Sequence, residues 1–154
     1  MNDYSYNPNS PKRKINAGIL IGLIAAAIMV FVQLFFLLIF TGTNTGDWIA
    51  LGIQLFVYFF ASQAAAQRQY NSQERDIDPL RGVRAAGIGA AITTSLLMWV
   101  YIIIRGVVRD ALGIDVIIEP FSLFCMIVVD VLLAIGIGAW GGSIVVKKYR
   151  PKGY

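Results

Sequence analysis

The sequence predicts an all-α membrane protein, an antiparallel bundle of four transmembrane helices with both termini cytoplasmic, and three observations carry that expectation. Hydrophobic residues make up 57% of the 154-residue chain and charged residues 14%, against roughly 25% charged in soluble domains. The charges also avoid long stretches. None falls in residues 15–46, 48–67 or 85–104, and Asp130 stands alone between Pro120 and Val146. Each stretch reaches the roughly 20 residues that cross a hydrocarbon core about 30 Å thick. The third observation is where the cations lie. Lys12, Arg13 and Lys14 precede the first apolar stretch, Arg68, Arg75, Arg81 and Arg84 lie between the second and third, and Lys147, Lys148, Arg150 and Lys152 follow the fourth. Only Arg105 and Arg109 fall on the other side, and the cation-rich side is assigned to the cytoplasm.

The elements follow in chain order. Residues 1–16 combine Asn, Ser, Pro and Tyr without hydrophobic periodicity and end in a basic cluster, the pattern of a mobile cytoplasmic tail. Span one covers about residues 17–40, too long an apolar run for the h-region of a signal peptide. The polar segment TGTNTGD at 41–47 is read as a short turn, which makes spans one and two antiparallel neighbours. Span two covers about 48–67, and the charged loop with Pro79 leads to span three at about 82–104. In the connection 105–120, Val108, Ala111 and Leu112 recur at helical spacing opposite Arg109 and Asp110, so this segment is expected in the membrane interface or on the end of the bundle. Span four covers about 121–146, and 147–154 form a basic cytoplasmic tail. Trp48 and Trp99, near span ends, fit an aromatic belt.

Helices associate in lipid through small residues that let backbones approach and polar groups that bond across helices. Gly18, Gly22, Ala26 and Gln33 share a stripe on span one, and Gln54, Tyr58, Ala61 and Ala65 share one on span two. Span three offers Gly87, Ala91, Thr94, Met98 and Tyr101, and span four offers Asp130, Ala134 and Gly138 in steps of four, with Gly141 and Gly142 beside them. Gly18–Gly22 and Gly138–Gly142 are GxxxG pairs. In every span the small residues lie toward the cytoplasmic half and the larger polar ones toward the outer half. A tight inner neck and a looser, polar outer region are therefore expected. At 1.5 Å per residue, Gln33, Gln54, Thr94 and Asp130 fall roughly 9–15 Å below the outer boundary, in reach of one hydrogen-bonded layer.

Asp130 carries the sharpest signal, because a carboxylate at mid-span costs on the order of 2.5–3.5 kcal/mol on insertion scales and needs a partner, water or a ligand. Arg105, at the outer end of span three, has the reach to pair with it.

The chain has no histidine and one cysteine, Cys125, which removes the commonest ligand sets for haem and transition metals and the usual general base. GxGxxG at residues 136–141 lies inside a span rather than after a strand, so it reads as helix packing. No cofactor, metal site or catalytic residue is expected, and the cations are explained by topology and anionic lipid, with no nucleic acid as partner.

In length and helix count the chain resembles the small multidrug-resistance transporters, compact four-helix proteins that work as dimers. The resemblance is architectural: that family carries a membrane-embedded glutamate in its first helix, where span one here has Gln33, so no site is carried over.

Two functions are expected from these features. The first is a non-catalytic accessory or structural subunit of the plasma membrane, a helix-packing element that stabilises or regulates a larger membrane complex, with lipid and other integral membrane subunits or further copies of itself as partners. The alternative is a small oligomeric secondary transporter or channel using Asp130 as its proton or cation site.

Overall fold

The computed structural model describes residues 16–39, 44–72, 81–113 and 119–149. Within them the protein is all-helical: α1 spans Ala17–Ile39, α2 Asn44–Ser72, α3 Arg81–Ala111 and α4 Pro120–Tyr149. Each is long and apolar enough to cross a membrane. The tails at 1–15 and 150–154, and most of the connections, lie outside the described residues.

Local chemistry sets the helix ends. Asn16, expected in the N-terminal tail, caps α1: its side-chain oxygen accepts the Gly18 amide at 3.0 Å and its carbonyl accepts the Leu20 amide at 3.1 Å. Pro120 opens α4, where the missing amide proton costs nothing. The larger differences from the sequence-based expectation lie at α2, which also runs five residues past Gln67 to Ser72, and at α3. Helix α2 begins at Asn44, three residues inside the anticipated 41–47 turn, and α3 runs seven residues beyond Ile104 to Ala111. The second difference has a plain cause. The 3.6-residue periodicity of Val108, Ala111 and Leu112 continues the helix rather than starting a separate interfacial one, until Gly113 adopts φ 72° and ends it.

The four helices run up and down. Gly18 near the start of α1 lies against Ala86 and Ala90 near the start of α3, and Gly87 there lies against Gly142 near the end of α4. Gln67 of α2 reaches Tyr149 of α4 at the same end. Helices α2 and α3 form the centre, each touching the other three, while α1 and α4 make no contact with each other among the described residues. Accordingly, 33% of an 18-residue apolar stretch of α2 and of α3 is buried inside the protein, against 22% for α1 and 17% for α4. The outer faces carry large apolar side chains, including Phe31, Phe121 and Leu132, which suit a hydrocarbon solvent.

The core is built largely from small residues. Ala25, Ala61, Ala65, Ala86 and Ala90 form one cluster between α1, α2 and α3, and Tyr58, Ala91 and Ala134 form another between α2, α3 and α4. Backbones come close enough that a side chain is excluded. A Cβ on Gly22 would lie 2.8 Å from the Ala90 carbonyl oxygen, and one on Gly138 would lie 2.9 Å from the Ile88 Cα. At the end where α1 begins, Tyr70 and Tyr149 stack at 4.2 Å and tie α2 to α4.

Because the obstruction at Gly138 is backbone and cannot swing aside, Gly138→Leu is expected to destabilise the bundle by about 1–3 kcal/mol or more. Gly136→Leu on the same helix meets open space and is expected to leave thermal stability near that of the unmodified protein. Unfolding of both variants in mild detergent checks this, and equal melting temperatures would refute the packing account.

Candidate functional site

Three rows of residues spaced four apart converge on one carboxylate. Helix α4 contributes Gly142, Gly138, Ala134 and Asp130, α3 contributes Gly87, Ala91, Ser95 and Trp99, and α2 contributes Ser62, Tyr58 and Gln54. The rows start at the close glycine contacts: Gly87 faces the Gly138 carbonyl, the Gly142 Cα and the Ser62 carbonyl. They continue through the Tyr58, Ala91 and Ala134 cluster. One helical turn further, the small residues give way to polar ones.

There Asp130 is 7% exposed and accepts four hydrogen bonds. Its Oδ2 takes the Tyr58 hydroxyl at 2.8 Å, the Ser95 hydroxyl at 2.7 Å and the Trp99 indole N–H at 2.9 Å. Its Oδ1 takes the Gln54 amide at 2.9 Å. The same Gln54 nitrogen lies 2.6 Å from the Tyr58 hydroxyl oxygen, so Tyr58 accepts from one neighbour while donating to the other. Ser62 donates to the Tyr58 carbonyl at 2.6 Å. No cation pairs with Asp130 among the described residues. The neutral donors suffice in magnitude: hydrogen bonds to a charged group contribute about 1.5–3 kcal/mol each, and four of them outweigh the roughly 2.5–3.5 kcal/mol insertion cost.

Above this network the helices part around a cleft of about 680 Å³, within the roughly 300–1,000 Å³ of small-molecule sites. Asp130, Trp99 and Gln54 line it together with Met98, Ile102 and Met126. Among its lining residues Asp130 is the one acid and Arg105 the one base. Cys125, the chain's single cysteine, is exposed and lines it as well. Close packing at one end of the bundle and a cleft toward the other match a neck and a looser polar region.

The residues singled out in the sequence separate into three groups. Gln54 and Asp130 bond to each other. Gln33 and Arg105 line the cleft without a hydrogen bond or ion pair to Asp130, so the Arg105 pair does not form. Thr94 is turned away, donating to the Gly22 and Ala90 carbonyls at 3.2 and 2.8 Å. It joins α3 to α1 rather than to the layer. Of the packing glycines, Gly18 and Gly22 lie on α3 backbone, and Gly87, Gly138 and Gly142 lie in the α3–α4 contact.

Ser95 and Trp99 belong to the site, and sequence reasoning missed both. Trp99 was assigned to the membrane interface, whereas its indole N–H is committed to Asp130. The spacing held the signal: Gly87, Ala91, Ser95 and Trp99 repeat the four-residue step of Asp130, Ala134 and Gly138. A 3.6-residue stripe accommodates either 94 and 98 or 95 and 99, and only the partner helix decides. On α3, the row of Ala86, Ala90 and Thr94 faces α1, and the row beside it faces α4.

No group of three or more His, Cys, Asp or Glu able to hold a metal ion occurs among the described residues. No family model matches the chain, and no significant match is found among curated proteins or solved structures. The architectural resemblance to the small multidrug-resistance transporters therefore gains no support from structure.

If the donors serve the carboxylate, removing one should matter less once the carboxylate is gone. Tyr58→Phe and Trp99→Phe are each expected to lower stability by about 1–3 kcal/mol, and by at least ~0.5 kcal/mol less in an Asp130→Asn background. Thermal unfolding of the double-mutant cycles gives the coupling, and strict additivity would show that the charge of the carboxylate adds nothing to these bonds.

Proposed function

We propose that this protein is a small carrier of the cell membrane that binds the cationic group of a solute, or a proton, at Asp130. One observation carries the reading: a carboxylate buried at mid-span, surrounded by neutral donors and without a counter-ion, lies at the floor of a cleft large enough for a small molecule. An intramembrane acid facing a cavity is the usual mark of a proton or ion pathway. Helix register alone does not require a charge, since neutral Ser, Thr and Gln side chains fix register at lower cost.

The network supports the reading chemically. A carboxylate offers about four lone-pair sites on two oxygens and donates nothing when ionised. Three donors crowd Oδ2, while Oδ1 accepts one bond, which leaves Oδ1 the freer oxygen for a proton or an ammonium group. The four donors hold the carboxylate in place without neutralising it, and they come from α2 and α3, so binding at Oδ1 acts on three helices at once.

The other reading is a non-catalytic subunit that packs against a larger membrane complex. It draws on the apolar outer faces of α1 and α4, but lipid alone asks for such faces, and it gives the cleft no role. The orientation is proposed from the cations: both ends of the chain cytoplasmic, with the cleft opening toward the outer half.

Asp130→Asn is expected to fold, because the Asn carbonyl oxygen keeps the three donors of Oδ2 and a flipped Gln54 amide accepts from its NH2. In dye-loaded proteoliposomes, amine-bearing solutes, zwitterions among them, are expected to change internal pH with the unmodified protein and not with Asp130→Asn. Equal responses would sink the carrier reading, and a stoichiometric membrane partner after mild extraction would favour the subunit. A reporter fused after Tyr154 is expected to be active only in the cytoplasm, and one inserted after Thr41 only outside; the opposite pattern would reverse the orientation.

A further inference from the structure

Among the described residues that line it, the cleft has one acid and one base, and they do not pair with each other. Arg105 lies six residues beyond Trp99 on α3, along the ridge of Met98, Trp99 and Ile102 that lines the cleft. At 1.5 Å per residue its Cα is roughly 9 Å further along the helix than that of Trp99, whose indole marks the level of Asp130. Arg105 is thus rooted on the order of 10 Å further along the cleft than the level of Asp130, and its long stem sets how far the guanidinium lies from the carboxylate. The walls between them are apolar, including Met98, Ile102 and Met126.

Taken with the carrier reading, on which this inference rests, that arrangement restricts the solute. A simple organic cation reaching Asp130 would share the cavity with an unpaired guanidinium that repels it. A simple anion would meet the carboxylate. A metal ion needs several oxygen ligands, whereas Asp130 has three donors on Oδ2 and no second acid lines the cleft among the described residues. We infer that the solute is a zwitterion with its charges at opposite ends of an apolar body: an ammonium group bonded to Oδ1 of Asp130 and a carboxylate-type anion on Arg105. Arg105 suits the second role because its planar fork of donors matches a carboxylate bidentately. Each charge then finds its partner in the ligand, and the apolar body covers the Met and Ile walls.

Cys125 makes the inference measurable in the full-length protein, because it is the only cysteine and lines the same cleft. The readout is its alkylation by a water-soluble maleimide in phosphatidylcholine nanodiscs, with thermal stability measured in parallel. Three matched probes are compared at chain lengths of four to seven carbons: the ω-amino acid, its methyl ester, which keeps only the cation, and its N-acetyl derivative, which keeps only the anion. The zwitterion is expected to protect Cys125 and raise the melting temperature at concentrations at least about tenfold lower than either relative. Asp130→Asn should erase its advantage over the N-acetyl compound, and Arg105→Gln its advantage over the methyl ester. A methyl ester as effective as the zwitterion would overturn the zwitterion assignment while leaving a cation site at Asp130. Equal protection by all three, unchanged by Asp130→Asn, would overturn both readings. Absence of protection and of any thermal shift with all three would overturn the zwitterion, and the pH response in proteoliposomes would then decide the carrier reading alone.

Discussion

The carboxylate of Asp130 fixes how three of the four helices meet. It sits on α4, and every one of its bonds goes to another helix: Gln54 and Tyr58 on α2, Ser95 and Trp99 on α3. In a hydrocarbon solvent, apolar surfaces have little preference for each other over lipid. Directional bonds to a charge-bearing group then have an influence on register that they lack in water, where a solvated carboxylate has many partners. The network is also asymmetric, with three donors on one oxygen and one on the other. That asymmetry turns a packing element into a candidate binding element.

The glycines and alanines at the opposite end make the network possible. Gly87, Gly138 and Gly142 bring the α3 and α4 backbones together, and from that contact the rows of four-residue steps carry the register without slippage up to Ser95 and Asp130. The residues along the α3 and α4 rows grow larger with distance from the contact. The helices are therefore held close where they touch and parted where the cleft lies. Helix α3 does this on two adjacent rows, against α1 with Ala86, Ala90 and Thr94 and against α4 with Gly87, Ala91 and Ser95, which explains why so few of its positions in that half carry bulk.

Much of this was legible in the sequence because membrane helices declare themselves by composition and length. The four spans, the packing glycines and the isolation of Asp130 all depend on local properties of the chain. What was not legible depends on which residues face each other. Whether Thr94 or Ser95 points at Asp130 is a rotation of about 100°, smaller than the width of the stripe that periodicity defines. Trp99 lies where an interfacial tryptophan would lie, and only the approach of α4 shows that its N–H has a buried acceptor. Arg105 has the reach for an ion pair, but reach does not fix direction, and the donors already around Asp130 leave it no need. The extension of α3 to Ala111 was hidden by reading a change of composition as a change of element, although the periodicity continued unbroken.

Helix α1 and helix α4 never touch, and this has a consequence for how the chain is made. Synthesis from the N-terminus delivers α1, α2 and α3 first, and those three already share the alanine cluster that holds them together. Gln54, Tyr58, Ser95 and Trp99 are then in place while their common acceptor has yet to arrive. The last helix brings the one acid of the membrane interior, a carboxylate that lipid alone does not satisfy. Its entry is coupled to finding the waiting donors, so a chain that has misplaced α2 or α3 leaves α4 with an unserved carboxylate. Such a chain exposes its own fault to the machinery that clears unassembled membrane proteins.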